Sequence, residues 1–588
     1  MKRRKYGAIN RHASVILLNQ ALSGSFRGGR AFSIGLALSA ISLSAKAENN
    51  PPTFHGEIAV LVYTYCATCH YPGGAGPFPL TSYEEVKAQG KKIVAALNEG
   101  SMPPWLPDDA RGTFLDDRRL PVGAAAKIRE WYVADMPEGN VASAPTWKPN
   151  TNEWAWGKPD LVLPFPEAYE FPAEGGDEYR NFILKVPRGE DRYVRGFQFI
   201  PGSAAIHHAR FLFDASGESQ KRDAADAVCG FAGIMPPARP VPGHILGWTP
   251  GRGVQASALG LPWPFDGHGD MVVQLHLQRT GHRETIQPRI GFYFTNQPPV
   301  ATPVSVGMVA QAMELPAGER DVAVTRSFEL PAESDLLAIM PHAHLLATSC
   351  ECSARLPDGA TRTLLTIRRW RFNWQDEYRY VEPISLPAGT VITFKYIFDN
   401  SDSNPVNPSH PPKTVRHGPS TTDEMAEMWL QVVPADERAA QEIDLAVRRN
   451  WQKETVAAFT KRVQKDPDNP LAHLELARNL GALGQKREAF EELVRAVELD
   501  PHLAEAHYYI GVSFFERGLF DKAKVAFEQA VAENPDHQRA HAGVGLAAWE
   551  LGDKPGAEKS LQRALELNPR DLKVREKLRE IQEGIPGK

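Results

Sequence analysis

No aspartate or glutamate occurs before Glu48, and the main apolar run in that stretch, AFSIGLALSAIS, is broken by serines and falls short of the ~20 residues a membrane span needs. The stretch is otherwise basic, and Ser44-Ala45-Lys46-Ala47 has the small-x-small form of a signal peptidase site. Residues 1–47 therefore read as a cleaved secretion signal, with a membrane anchor as the competing reading, and the expected compartment is periplasmic or extracellular. Lys2-Arg3-Arg4-Lys5 lies too far from the apolar run to be a twin-arginine signal. Excess positive charge is missing as well. The formal charge is −5, and removing a leader with eight Lys/Arg and no acid takes it to −13, which excludes nucleic acid as a partner. Cysteine is scarce, with five residues in 588. Beyond Cys66 and Cys69 only Cys229, Cys350 and Cys352 remain. The last two are too close in sequence to pair easily, which leaves open a bridge from Cys229 to one of them.

A chain of 588 residues is too long for one core and predicts three to five units at ~100–200 residues each. The C-terminal region is the most regular. Asp466-Pro467, Asp500-Pro501, Asn534-Pro535 and Asn568-Pro569 recur every 34 residues, and Gly484, Gly518, Gly552 and Ala489, Ala523, Ala557 keep the same step. Helix, glycine turn, helix and Asx-Pro stop resemble the tetratricopeptide repeat, so 461–588 is expected to be an all-α solenoid. It would serve either as a protein-docking surface or as a structural cap. Residues 435–460 are expected to be a helical linker.

Between residues 160 and 434 the pattern changes to short alternating segments such as MVVQLHLQ, RIGFYFT and VITFKYIF, punctuated by Pro and Gly. These predict antiparallel β-sandwich domains, and the length suits two, at 160–300 and 301–434. A Pro/Trp-rich linker, 139–159, precedes them. Before it lies a small unit, 54–138, with helical patterns at 82–98 and 123–136.

That small unit carries Cys66-Ala67-Thr68-Cys69-His70. Two thiols at this spacing can form thioethers to haem vinyl groups while the next residue ligates the iron. A redox CxxC pair or half a zinc site competes, but no second CxxC follows. Met102, in Gly100-Ser-Met-Pro-Pro-Trp105, offers a sixth ligand; its alternative role is packing against the haem. The unit resembles a small class I cytochrome c domain.

MPHAHLLA, residues 340–347, places His342 and His344 at i and i+2, hence on one face of a strand. Pro341 between them suggests an edge or a bulge. Two such imidazoles can share a metal but need a further ligand. Three other motifs supply candidates: the adjacent His207 and His208, which need an irregular backbone to act together; His276, on a polar face with Gln274 and Gln278; and Met425, in Asp423-Glu424-Met425. The remaining histidines, including His244, His268, His282, His410 and His417, read as structural or surface groups, with His417 close enough to the Met425 motif to support it.

Double His, Gln-x-His, His-x-His and Asp-Glu-Met, in this order, resemble the copper type II, ascorbate-dependent monooxygenases, the family of peptidylglycine α-hydroxylating and dopamine β-monooxygenases. The resemblance covers about 160–434. It implies two jelly-roll domains facing an open cleft, an electron-transfer copper on His207, His208 and His276, and a catalytic copper on His342, His344 and Met425 where oxygen and substrate meet. Three imidazoles suit both copper oxidation states, whereas a thioether favours Cu(I). Two positions depart from the peptide-hydroxylating branch: Met340 stands where a substrate-binding Arg is found, and Trp429 where a Tyr is found. A more apolar or aromatic substrate follows. Zinc is a poorer fit, because Met is a weak zinc ligand and HExxH is absent.

The expected protein is thus multidomain: a small all-α cytochrome c domain, two all-β jelly-roll sandwiches and an all-α repeat solenoid. Its expected activity is hydroxylation of a small organic or peptide-like substrate with O2, using two coppers and one covalent haem c. The one-electron donor would be ascorbate or a cytochrome or quinol chain. A non-catalytic copper-binding or electron-transfer protein with a docking module is the principal alternative, and a redox sensor a third.

Overall fold

The structure, a computed structural model, describes residues 51–583 apart from 73, 75, 144, 148–153, 188–191, 234–235, 258–259, 266–268 and 570. The expected secretion signal and His268 lie outside the described residues. No helix among the described residues is long and apolar enough to cross a membrane.

The N-terminal unit is helical. A π-helical turn, Phe54–Ile58, runs into Ala59–Tyr65, followed by Tyr83–Ala88, Gly90–Glu99 and Ala124–Val133. Ser82 starts the second helix by a capping box with Glu85, satisfying end N–H groups. The expected single helix over 82–98 breaks at Gln89, next to Gly90, where a β-carbon would fall 2.5 Å from the Met136 sulfur. Phe54, Ile58, Val62, Leu80, Val86, Ile128 and Trp131 form the core. The unit is not self-contained over 54–138 as expected. Leu106 and Phe114 are buried in a different core, that of the second β region, where Phe114 bridges to Tyr380 and packs on its ring at 4.9 Å.

The central region is β-rich, and its named strands pair antiparallel. In the first part, the sheet ordered Leu161–Pro164, Arg289–Thr295, Arg192–Ile200, Gln255–Ala256 shares a core with a second sheet. That sheet is ordered Phe231–Ala232, Glu178–Leu184, Asp270–Leu277, Ile206–Asp214, Gly247–Trp248. In the second part, Val304–Val309, Ala426–Pro434, Ser334–Ala343, Tyr378–Leu386 form one sheet, and Val322–Glu329, Val391–Phe398, Ala347–Arg355, Thr361–Ile367 the other. Val391–Phe398 alternates in burial as expected for a strand with one core face. Asp270–Leu277 does not alternate: all but its first residue are buried, because Val273, Leu275 and Leu277 face the core while the other side is also covered.

The disulfide left open for Cys229 is not formed. Cys229 packs at the first core, Cys350 and Cys352 are buried in the second, and all five cysteines are free. Cys350 and Cys352 sit two apart on one strand, so both point into the same core.

The linker boundary at 460 falls inside one 29-residue helix, Glu437–Lys465, capped by Asp436. Ala439 and Ile443 enter the second β core, Arg326 pairs with Glu454 at 2.7 Å, and Thr455 donates to Gln311. The following helices, Pro470–Ala482 and Lys486–Leu499, Ala504–Glu516 and Phe520–Glu533, Gln538–Glu550 and Lys554–Leu567, then Leu572–Glu583, keep the 34-residue step. Gly484, Gly518 and Gly552 have φ of +81°, +74° and +83°, the left-handed turn that only glycine adopts cheaply. Ala489, Ala523 and Ala557 are buried where paired helices approach.

Candidate metal centres

His207 and His208 open the Ile206–Asp214 strand. Its pairing with Asp270–Leu277 slips there: His276 faces His208 and Leu277 faces Ile206, so His207 is bulged out of the ladder. The bulge is the irregular backbone that adjacent ligands require. Nδ1 of His207 lies 3.1 Å from Nδ1 of His208 and 3.2 Å from Nδ1 of His276, and one nitrogen of each ring lies within 4.8 Å of the others. Nε2 of His207 is buried with no hydrogen-bond partner among the described residues. Converging imidazole nitrogens with an orphaned buried atom fit a borderline-soft cation.

Burial lowers the His207 pKa to about 4, reinforced by His276; His208 is held well below its usual value by burial and then by His276, His207 and His342. Both rings are therefore in the neutral, ligating form at physiological pH. Behind them, Nε2 of His276 meets Asp177 at 2.9 Å, and Tyr179 stacks on His276 at 4.3 Å and 3°. That bond is the main cause of a lowered Asp177 pKa. If the three histidines hold a metal ion, Asp177→Ala is expected to weaken the binding of an added soft divalent ion here by ~10–100-fold, read by competition titration with a chromophoric chelator. Retained affinity would show that the carboxylate does not orient the ring.

In the second cluster, Ser334–Ala343 pairs with Ala426–Pro434 so that His342 faces Glu427 and Ala343 faces Ala426, where the ladder ends, with His344 and Met425 the next residue beyond it on either strand. Ala343, Ala426 and Met428 point into the core. His342 and Glu427 therefore share the opposite face, and the His344 ring meets that of His342 there. The two rings lie 5.3 Å apart at 83°. Nδ1 of His344 donates to the Asp423 carbonyl at 3.1 Å, which leaves its Nε2 as the ligating atom. Burial, foremost, lowers both histidine pKa values to about 4. Pro341 is not on an edge strand: its strand is central, but pairing with Tyr378–Leu386 stops at Ile339, so Pro341 lies beyond that ladder.

Glu424, absent from the sequence-derived set, has no exposed surface. Its carboxylate accepts the peptide N–H groups of Met425 and Leu346, each at 2.8 Å, and of His344. Burial pushes its pKa up to about 8 against the pull of those three bonds. It thus ties the backbone of both remaining ligands together. The only sequence sign of it was its place inside Asp-Glu-Met.

The two clusters face each other across the junction of the β regions. The Phe372 ring stacks on His207 at 5.6 Å and meets His344 edge-on at 5.9 Å, so the His207 and His344 rings lie within the sum of those distances. An aromatic side chain thus stands between clusters for which the resemblance implied an open cleft. Arg210, exposed and two residues after His208, faces the same gap and is balanced electrostatically by Glu427 and Tyr179.

In the N-terminal unit, Nδ1 of the buried His70 donates to the Phe78 carbonyl at 3.0 Å, fixing the ring and leaving Nε2 for an axial bond. Burial, and then Cys69, pushes the Cys66 thiol up to about 12. Met102 is half-buried, just ahead of the Trp105–Phe114 segment that packs on the second β region. Of the other histidines, His244 is buried, His282 and His410 are exposed, and His417 sits 4.0 Å from Glu427 with a buried, unpartnered Nε2.

A family model for the tetratricopeptide repeat matches residues 474–524 and 513–571, and the C-terminal region is therefore a set of these repeats. No curated protein matches the chain. Among solved structures, the chain is similar to the first TPR of Spaghetti (RPAP3) bound to the HSP90 peptide SRMEEVD. Identity is 24% over 20% of this chain and 95% of that one, with a TM-score of 0.20. MamA is 23% identical over 25% of this chain and 84% of that one, TM-score 0.22. YrrB, described as a TPR protein with an unusual peptide-binding site, is 26% identical over 22% and 68%, TM-score 0.21.

Proposed function

We propose that this chain is a periplasmic or secreted copper monooxygenase. It would hydroxylate a substrate C–H bond with O2, one oxygen atom passing to product and the other to water, with electrons from ascorbate or another one-electron donor entering through covalent haem c. In this reading the two β regions are the jelly-roll domains of the copper type II family, and the N-terminal helices are a cytochrome c domain. His207, His208 and His276 would hold one copper, His342, His344 and Met425 the other, and Cys66, Cys69, His70 and Met102 the haem. Bound there, the metals would supply one-electron storage, oxygen activation and electron delivery.

The protein's own residues do the positioning. Asp177 orients His276, and Glu424 fixes the backbone that carries His344 and Met425. The two positions that depart from the peptide-hydroxylating branch, Met340 and Trp429, are cross-strand partners. Together they make an apolar wall beside His342, which supports an apolar or aromatic substrate rather than a C-terminal glycine. The repeats would dock a protein partner. The observation that carries the proposal is the facing of a three-histidine cluster and a His-x-His/Met cluster across one domain junction.

Metal analysis tests it: two coppers and one iron per chain are expected, and protein without copper would overturn it. The rival reading, a copper carrier or electron-transfer protein, is favoured if the reduced protein holds Cu(I) stably in O2 and passes it to an acceptor. Coupled Cu(I) reoxidation and substrate hydroxylation favours the enzyme. Cys66→Ser/Cys69→Ser protein is expected to lose turnover that depends on the haem, and turnover equal to wild type with every donor would sink that part.

A further inference from the structure

The haem-binding motif and the two histidine clusters belong to different units, yet one short segment touches all of them. Cys69 packs against the first β region at Gly251, where a β-carbon would stand 2.9 Å from Sγ. Gly251 has φ of +88°, so both the backbone and the contact call for glycine. The next residue, Arg252, pairs through Nε with Oδ1 of Asp376 at 2.9 Å and through Nη2 with Glu377 at 2.9 Å. From the N-terminal unit, Nη2 of Arg118 reaches Oδ2 of the same Asp376 at 3.1 Å. Beside Asp376, Oε1 of Gln375 accepts the peptide N–H of Ala343 at 3.3 Å, the residue between His342 and His344, and Gln375 also acts as an acceptor for the His342 ring. At the other end of the segment, Phe372 lies between His207 and His344.

A structural tie needs only one such contact. Here one through-space contact, Cys69 on Gly251, is followed by covalent segments and hydrogen bonds that run to His342 and Ala343, and the Phe372 ring continues the series to the other cluster. We propose that the Phe372–Glu377 segment, with Gly251 and Arg252, is the through-protein electron bridge from the CxxCH unit to the two histidine clusters. This rests on the haem and copper reading above. With haem held by Cys66, Cys69 and His70 and copper by the histidine clusters, the step would be one electron passing from Fe(II) to Cu(II), with no bond or proton transferred, and an external donor such as ascorbate would re-reduce the haem. Nothing in the sequence marked this segment, since its partners range from about 30 residues away, at His342 to His344, to more than 100, at His207, Arg252 and Arg118.

The test uses full-length protein loaded with haem and copper. A flash photoreductant reduces the haem, and its reoxidation is followed by absorbance, with freeze-quench spin resonance reporting loss of Cu(II). Wild type is expected to show a concentration-independent phase of haem reoxidation. Asp376→Ala is expected to lose that phase, leaving only reoxidation that scales with protein concentration, while metal content, haem potential and the Cu(II) signals stay as in wild type; Asp376→Glu restores it. If Asp376→Ala does not fold, Arg252→Leu, which breaks the same link on the side away from the histidine clusters, carries the same comparison. An intramolecular phase at the wild-type rate in a folded variant overturns the proposal. So does its absence from wild type carrying both metals, or a loss explained by a shifted haem potential. Wild type that binds no copper or no haem instead overturns the functional reading.

Discussion

Glu424→Ala is expected to destabilise the protein by several kcal/mol and, on the proposed two-copper reading, to reduce the copper bound from two ions per chain to one. The carboxylate is fully buried and accepts three peptide N–H groups, from His344, Leu346 and Met425. Truncation leaves all three donors without an acceptor, at ~1–3 kcal/mol each, in a fold whose total stability is ~5–15 kcal/mol. The same cut frees the two strand ends that carry Met425 and His344, so the second centre loses its geometry while the His207 centre is untouched. Urea unfolding and copper analysis measure both. Glu424→Gln is the informative companion. It keeps one acceptor oxygen but turns an amide toward N–H donors, so its loss falls between wild type and alanine. Wild-type stability in Glu424→Ala would mean the three donors find other acceptors.

The second large effect is a stability maximum near neutral pH in copper-free protein. His207, His244, His342 and His344 have pKa values lowered to about 4, each chiefly by burial, from the usual 6.5. Between those values the unfolded chain binds the proton and the folded one does not. Stability is therefore full above 6.5 and is lost as pH falls toward 4. For the best-buried pair, His244 and His344, the shift is worth roughly 3 kcal/mol each. Glu424 works in the opposite sense: its folded pKa is raised from 4.5 to about 8, so its contribution is full below 4.5 and is lost as pH rises through 8. These four histidines, joined by His208, His70 and His417, whose pKa values burial also lowers, stand on the acid side against Glu424 on the alkaline side, and predict a steep acid limb and a shallow alkaline one. Copper competes with protons for His207, His342 and His344 and should move the acid limb lower, which urea midpoints across pH 4–9 with and without copper will show.

Much of the architecture was legible in the sequence because it is written in local periodicity. The repeat step of 34 residues, the Asx-Pro stops and the left-handed glycines are short-range signals, and the helices keep to them. The three histidine motifs were legible because each is a contiguous word; antiparallel pairing brought His208 opposite His276, and the Glu424 carboxylate bonds the backbones of His344 and Met425. What could not be read was long-range. Asp177 and Tyr179 reach His276 from a strand about 100 residues away, and Phe372 comes from a short turn with no motif at all. The Leu106–Phe114 stretch looked like part of the small helical unit, because nothing local says that Phe114 fits better against Tyr378 and Tyr380. Pro341 suggested an edge strand, yet the partner strand merely ends before reaching it.

The helix Glu437–Lys465 has a bearing on what the repeats can do. At ~1.5 Å per residue it is a rod of about 44 Å, fastened to the second β region from Ala439 to Lys461, and its C-terminal half also packs through Val456, Phe459 and Val463 on the first repeat. A flexible tether would let a captured protein sample many positions and average its local concentration over all of them. A rod allows one bearing. Whatever the repeats hold is presented to the rest of the molecule at a fixed place, so its effective concentration there is either high or nil, and only partners of matching shape profit from the fusion.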